Sequence, residues 1–256
     1  MAIAPRGKEY LGYPTQKPEA LLERIIKAAS NRNDVVLDAY CGCGTTIAVA
    51  ERLKRKWIGI DITYQSISLV LRRLEKAFGS NILKTVILNG IPRDMASAKA
   101  LANKQDDRLR KEFEKWALLT YTKNRAIIND KKGADRGIDG RAYFLTGKDE
   151  SGKLIFQVKS GMVKRGDVAA LRGDMEREGA AMAVLITLEK PTGPMIKDAK
   201  AAGLYRHEQM GKDYDRIHIV TIQDIVEHQS RLEIPMSLEV VRAAKQAQGD
   251  QMLLPS

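Results

Sequence analysis

Asp139 opens an apolar run behind a glycine-flanked turn, Gly137-Ile-Asp-Gly140, and a second run, Leu154-Ile-Phe-Gln-Val-Lys159, carries Gln157 and Lys159 two positions apart. In an extended strand residues i and i+2 point to one face, so the amide and the ammonium would stand side by side. A carboxylate and an amide oxygen suit a hard divalent cation, and Mg²⁺ is content with one or two carboxylates plus water and phosphate. The expected metal ligands are Asp139, the side-chain oxygen of Gln157 and the backbone carbonyl of Val158. Lys159 then orients or deprotonates an attacking water, or offsets negative charge developing on a phosphate. A nearby cation would lower the lysine pKa, which makes the base role available. Glu114 is the better placed glutamate of its expected helix for reaching such a site, with Glu112 on a different side, or either is simply a solvated carboxylate. Asp135 is either a second acid of the site or a turn former.

The elements that must position these groups can be read from periodicity. Asp107 to Thr122 reads as a helix with Leu109, Phe113, Trp116, Ala117 and Leu119 mostly on one face. Ile138 to Leu145 alternates as a half-buried strand, Thr146 to Lys153 is a hairpin connection, and Leu154 to Val158 returns. A helix is expected from about Asp167 to Gly179, then an apolar run from Ala180 to Leu188, a break at Pro191-Thr-Gly-Pro194, a helix from Met195 to Ala202 and a strand from Ile217 to Thr221. This alternation predicts an α/β core with a mixed sheet. One more helix, Ser237 to Gln248, precedes a frayed tail.

The first part of the chain has a different pattern. Thr15-Gln-Lys-Pro18 leads into a helix through Ala29, with Pro18 where a first turn tolerates it. Val35 to Tyr40 is a short apolar strand, Cys41-Gly-Cys-Gly-Thr-Thr46 a glycine turn before a helix to Leu53, and Trp57 to Asp61 a second strand. Together they predict a βαβ unit. Gly42 and Gly44 would allow close approach of a ligand, and Asp61 could accept hydrogen bonds from ribose hydroxyls, or the turn is simply a strand-to-helix connection. A helix from Tyr64 to Phe78, a short strand and turn from Val86 to Pro92 and a helix from Asp94 to Ala102 lead into the second part.

The 256 residues suit two domains, and a formal net charge of +11 with a pI near 9.6 favours a polyanionic partner, most commonly nucleic acid. The two cysteines, Cys41 and Cys43, are too close for a useful disulfide and lack the companions of a zinc site. A reduced, cytoplasmic setting is expected. The N-terminus has no apolar core of a secretory signal, and no apolar run is long enough to span a membrane.

The segments Thr15-Gln-Lys-Pro18, Leu37-Asp-Ala-Tyr-Cys-Gly-Cys-Gly-Thr-Thr46 and Trp57-Ile-Gly-Ile-Asp-Ile62 resemble, in order and spacing, the S-adenosylmethionine-binding half of the permuted exocyclic-amino DNA methyltransferases, over residues 10–75. The resemblance implies that Lys17, Asp38, Tyr40, Gly42, Gly44 and Thr45 lie near the methionine part of the cofactor and Asp61 near its ribose. Ala39 and Tyr40 stand where that family usually has proline and phenylalanine, and Cys43 where serine is frequent. The family's catalytic tetrapeptide, an acid or Asn followed by two prolines and an aromatic, is absent. That motif holds a flipped base for attack on the methyl group, and in the permuted class it lies upstream of Thr-Gln-Lys-Pro. The resemblance therefore implies the C-terminal part of a methyltransferase, from a split gene or a truncation, that should fail to transfer methyl groups alone.

Over residues 105–225 the chain resembles the PD-(D/E)xK nucleases, and among them the Mrr-like restriction endonucleases, through Gly137-Ile-Asp-Gly140 and Gln157-Val-Lys159. The resemblance implies Mg²⁺- or Mn²⁺-dependent cleavage of double-stranded DNA by Asp139, Gln157 and Lys159, with Glu114 as the helix glutamate. Gln157 in place of an acid removes one charge and implies one weakly held ion. Lys164, Arg165 and Arg172 are candidates for phosphate contacts, or solvated surface.

The expected fold is a partial Rossmann-like βαβ unit followed by a restriction-endonuclease-like α/β domain, divided into residues 1–80, a linker at 81–104, a nuclease domain at 105–230 and a tail at 231–256. Three readings follow: a DNA endonuclease joined to the cofactor-binding part of a methyltransferase, the cofactor-binding subunit of a split methyltransferase whose nuclease fold only binds DNA, or a degenerate fragment. A homodimer would supply two active sites for two strand breaks.

Overall fold

The structure, a computed structural model, describes residues 9, 11, 13, 15–129, 137–147, 150–234 and 236. Asp135 and the expected helix from Ser237 to Gln248 lie outside the described residues. The chain divides into two compact units, Met1–Ile91 and Pro92–Ser256.

In the first unit, α1 (Glu19–Ala29) precedes β1 (Val35–Asp38), α2 (Thr45–Arg52), β2 (Lys56–Gly59) and α3 (Tyr64–Phe78). β1 and β2 are parallel, with Val35 opposite Lys56 and Asp38 opposite Gly59. This is the βαβ unit that the strand, glycine turn and strand predict. Val36 and Trp57 turn to one face of the sheet, where Leu22 and Ile26 of α1 and Val49 and Ala50 of α2 cover them. The opposite face is bare: Val35 is 58% exposed, Leu37 61%, Ile58 51% and Ile60 52%. The chain after α3 makes a 3-10 helix, Ser80–Lys84, and no strand forms over the Val86 to Pro92 stretch. The run Val86-Ile-Leu88 predicts one, but Ile87 joins no sheet and stays 81% exposed.

The second unit begins with α4 (Met95–Ala102), capped by Asp94, whose carboxylate accepts from the Ser97 amide at 2.7 Å. α4 packs on α5 (Asp107–Tyr121), so part of the stretch expected to be linker contributes a helix to this unit. Next come β3 (Ile127–Ile128), β4 (Gly140–Leu145), β5 (Ser151–Lys159), α6 (Arg165–Arg177), β6 (Met182–Thr187) and α7 (Gly193–Lys200). An antiparallel ribbon of β7 (Leu204–His207) and β8 (Lys212–Asp215) follows, then β9 (Ile217–Thr221) and α8 (Ile222–Val226).

The sheet order is β3-β4-β5-β6-β9, antiparallel from β3 to β5 and parallel from β5 to β9. It is the mixed sheet the alternation predicts. β5 and β6 are central and carry continuous apolar runs because both faces are covered. Ile155, Ala183, Leu185 and Ile217 share a core with Val168, Leu171 and Met175 of α6 and Met195 and Ala199 of α7. α5 packs on β5 and on α8. The β7–β8 ribbon was not legible as a pattern; it is fixed by aromatic contacts, with the Phe144 ring 5.6 Å from both Tyr205 and His207.

Candidate functional site

The Gly137 to Gly140 turn is shaped by its two glycines. Gly137 has φ +94°, and a Cβ there would stand 2.7 Å from Nε2 of Gln157. The close approach is what lets that amide donate to the Gly137 carbonyl at 2.9 Å. A Cβ at Gly140 would run into the Leu118 side chain of α5 and stand 2.9 Å from the Ile127 carbonyl. Asn129 straps the turn from the β3 side: its amide donates to the Asp139 carbonyl and its side chain to the Ile138 carbonyl, each at 2.9 Å.

Asp139 therefore sits at the fixed entry to β4, its amide donating to the Phe156 carbonyl at 2.8 Å and its Oδ2 accepting from the Val158 amide at 2.7 Å. In a pleated strand one residue's N–H and C=O face the same flank, so the Val158 carbonyl points to the Asp139 side of β5 as well. Gln157 and Lys159 project from β5 on the face that Ile155 shares with α6. Lys159 Nζ lies 3.6 Å from Oδ1 of Asp167 in the first turn of α6.

The electrostatics draw in Glu114. Burial, helped by the Asp139 charge and opposed by Arg110, Lys111 and Lys159, pushes its carboxyl up to about 7. Asp139 is itself raised by burial, opposed by the Val158 amide, Lys159 and Lys111. The Asp139 charge felt by Glu114 is one that a bound cation would offset. Gln157 adds an oxygen: the side chain is buried, and its Oε1 makes no hydrogen bond. Buried amide oxygens are rarely left so, because the desolvation is uncompensated. The amide nitrogen is committed to Gly137, so the free oxygen is available to a ligand.

Asp139, the Gln157 Oε1 and the Val158 carbonyl are oxygen donors of the kind a hard cation takes, and Glu114 is linked to Asp139 through its charge. Among the described residues no group of three or more His, Cys, Asp or Glu could hold a metal. Among the groups that sequence reasoning passed over are Lys111, Asp167 and the Asn129 strap; only the i, i+3 spacing of Lys111 and Glu114 on one helix face was there to be read. The candidate phosphate contacts are partly committed: Arg165 pairs with both oxygens of Asp198, and Arg172 with Glu176 at 3.3 Å.

In the first unit, Asp38 ends β1 and Asp61 lies two residues beyond the end of β2, both beside the glycine turn. Asp61 accepts from the Gly42 amide at 2.9 Å and the Thr63 amide at 3.1 Å, and Asp38 from the Tyr40 amide at 3.2 Å. Gly42 spends its amide on Asp61 and is overlain by Tyr13, and Gly44, at φ +74°, lets α2 approach Val70 of α3. Thr45 is buried at the first turn of α2, and Tyr40 is 88% exposed. Lys17 lies just ahead of α1, beside Gln16, whose side chain accepts from the Leu11 amide at 2.9 Å. Each carboxylate oxygen has two lone-pair sites, so the site still fits a ligand with hydroxyl donors. Burial and the charges of Asp61 and Asp38 push the Cys41 thiol up to about 11, and both cysteines are free and buried.

A methyltransferase-type βαβ unit and a nuclease-type mixed sheet are the two classes that these folds and sites define. Residues 2–72 match the family described as DNA methylase, and residues 109–227 the family described as restriction endonuclease. The chain is 56% identical over 69 residues to the DNA adenine methyltransferase YhdJ of Escherichia coli (strain K12), covering 27% of this chain and 24% of that protein. It is 45% identical over 76 residues to the Type II methyltransferase M2.LlaDCHI of Lactococcus lactis subsp. cremoris, covering 29% and 28%. A crystal structure of an M1.HpyAVI–SAM complex matches at 39% identity over 29% of this chain and 36% of that one, with a TM-score of 0.27. The chain spans about a quarter of the length of these curated relatives. Its first part is thus similar to DNA methylases and its second to restriction endonucleases.

Proposed function

We propose that the second unit is a metal-dependent endonuclease that hydrolyses phosphodiesters of double-stranded DNA. The observation that carries this reading is the buried Oε1 of Gln157, without a hydrogen-bond partner among the described residues, on a side chain whose Nε2 is held by the Gly137 carbonyl two positions before Asp139. Mg²⁺ or Mn²⁺, when bound, supplies Lewis-acid polarisation of the phosphate and a more acidic water. Asp139, Gln157 and the Val158 carbonyl would hold it, with Glu114 as the further carboxylate that feels the Asp139 charge. Lys159 orients the attacking water or offsets the negative charge that grows on the phosphate. Basic residues over the surface, reflected in the net charge of +11, favour the polyanion.

Purified protein is expected to cleave DNA with Mg²⁺ or Mn²⁺, and Asp139→Ala or Lys159→Ala to abolish cleavage while circular dichroism stays unchanged. Cleavage equal to wild type in either variant overturns the assignment.

The first unit is proposed to bind S-adenosylmethionine, with Asp61 at the ribose and Asp38, Tyr40, Gly42, Gly44, Thr45 and Lys17 near the methionine part. The family match over residues 2–72 and the two carboxylates flanking the glycine turn support it. The sequence holds no acid- or Asn-Pro-Pro-aromatic tetrapeptide, so methyl transfer requires that motif from a further methyltransferase stretch. Calorimetry with S-adenosylmethionine should give heat that Asp61→Ala reduces; no heat with wild type would leave the unit purely structural.

A further inference from the structure

At the corner between β5 and α6, Asp167 is a carboxylate that the metal site does not use. Its Oδ2 accepts from the Lys164 amide at 2.7 Å, which fixes the side chain at the start of the helix, and its Oδ1 faces Lys159 Nζ at 3.6 Å. On the other flank, the register partner of Lys159 is Thr187, which is wholly buried and whose hydroxyl makes no hydrogen bond. Among the described residues, Asp139 and Glu114 also feel the Lys159 charge. Both are committed once a cation binds, and the cation then repels the ammonium. Among the described residues, Asp167 is the carboxylate that pairs with the ammonium.

We propose that Asp167 is a positioning residue that keeps the Lys159 ammonium at the C-terminal end of β5, facing the scissile phosphate, while the cation occupies the other two carboxylates. The inference rests on the nuclease reading. A helix-capped carboxylate can do this because one oxygen is anchored to the backbone and the other is presented at a fixed angle. A small displacement of a reacting group costs roughly tenfold to a hundredfold in rate.

Asp167→Asn isolates the effect, since an asparagine oxygen can still accept from the Lys164 amide while the charge facing Lys159 is lost. With Mg²⁺ and saturating DNA, kcat for cleavage is expected to fall by roughly tenfold or more. KM for DNA should not rise, because a negative charge beside the polyanion has been removed, and Asp167→Glu should recover part of the rate. A readout independent of cleavage accompanies it: acetylation of Lys159 by acetic anhydride, followed by peptide mass spectrometry, should be several-fold faster in Asp167→Asn than in wild type. Unchanged kcat in Asp167→Asn, or a loss confined to KM, overturns the positioning role. If wild type fails to cleave, the nuclease reading and the role in cleavage fall together. A difference in Lys159 labelling would then show that the pair exists without that function, and no difference would remove the pair too.

Discussion

Gln157 stands where a carboxylate would add charge, yet its surroundings are built for an amide. Its Nε2 donates to the Gly137 carbonyl at 2.9 Å while Oε1 stays free. A glutamate would set an anionic oxygen against that carbonyl and a third carboxylate beside Asp139 and Glu114. Gln157→Glu is therefore expected to weaken cleavage at least tenfold at neutral pH, measured by plasmid nicking over a Mg²⁺ titration. Glu114 gives a pH signature of the metal-free protein. Its carboxyl titrates near 4.5 when unfolded and about 7 when folded, so across that window the folded state binds the extra proton. Stability contributed by this group is complete below about pH 4.5, falls as pH rises through the window and is flat above about 7. Glu114→Gln removes the penalty: at pH 8 without metal it should be more stable by about 1–2 kcal/mol, discounted for solvent screening, while cleavage is lost. Urea unfolding at pH 5 and pH 8 checks it; an equal difference at both pH values refutes it.

At the scale of elements, the site depends on how closely β4 and β5 approach their neighbours. Gly140 lets α5 press Leu118 against the start of β4, and Gly152 lets the Phe144 ring lie across β5. Gly140→Ala forces backbone or Leu118 to shift and is expected to cost about 1–3 kcal/mol in urea unfolding, with cleavage reduced because Asp139 adjoins it. Gly161 in the loop after β5 has open space and ordinary φ, so Gly161→Ala should leave stability within about 0.5 kcal/mol of wild type. The contrast assigns the glycine requirement to packing rather than to turn flexibility.

For the whole molecule, the two units differ in how completely they are built. The second has a five-stranded sheet with helices packed against it, whereas the first has two parallel strands with Val35, Leu37, Ile58 and Ile60 exposed on one face. Parallel sheets are normally covered on both faces, and two strands alone are marginal. Calorimetry is expected to show two transitions, the lower from residues 1–91 and accompanied by binding of a hydrophobic dye. A single cooperative transition would show that the units do not unfold independently. No helix among the described residues is long and apolar enough to cross a membrane.

The sequence alone determined the order of elements, because a period of two or 3.6 and the glycine punctuation are local. The βαβ unit, the runs at β5, β6 and β9 and the helix carrying Glu114 were legible for that reason. Asp139, Gln157 and Lys159 could be named as a set from the two short motifs, which lie in strands that pair through one hairpin. What only the tertiary structure decided was how those groups are held: the Gly137 carbonyl on Gln157, the Asp167 carboxylate on Lys159, and the burial that raises Glu114. Each depends on side chains from elements distant in sequence meeting across a packed interior, and so does the ribbon of β7 and β8, fixed by aromatic rings rather than by any periodicity of its own. The apparent strand near Val86 failed for the converse reason, since an apolar run becomes a strand only where a neighbouring strand offers its hydrogen bonds.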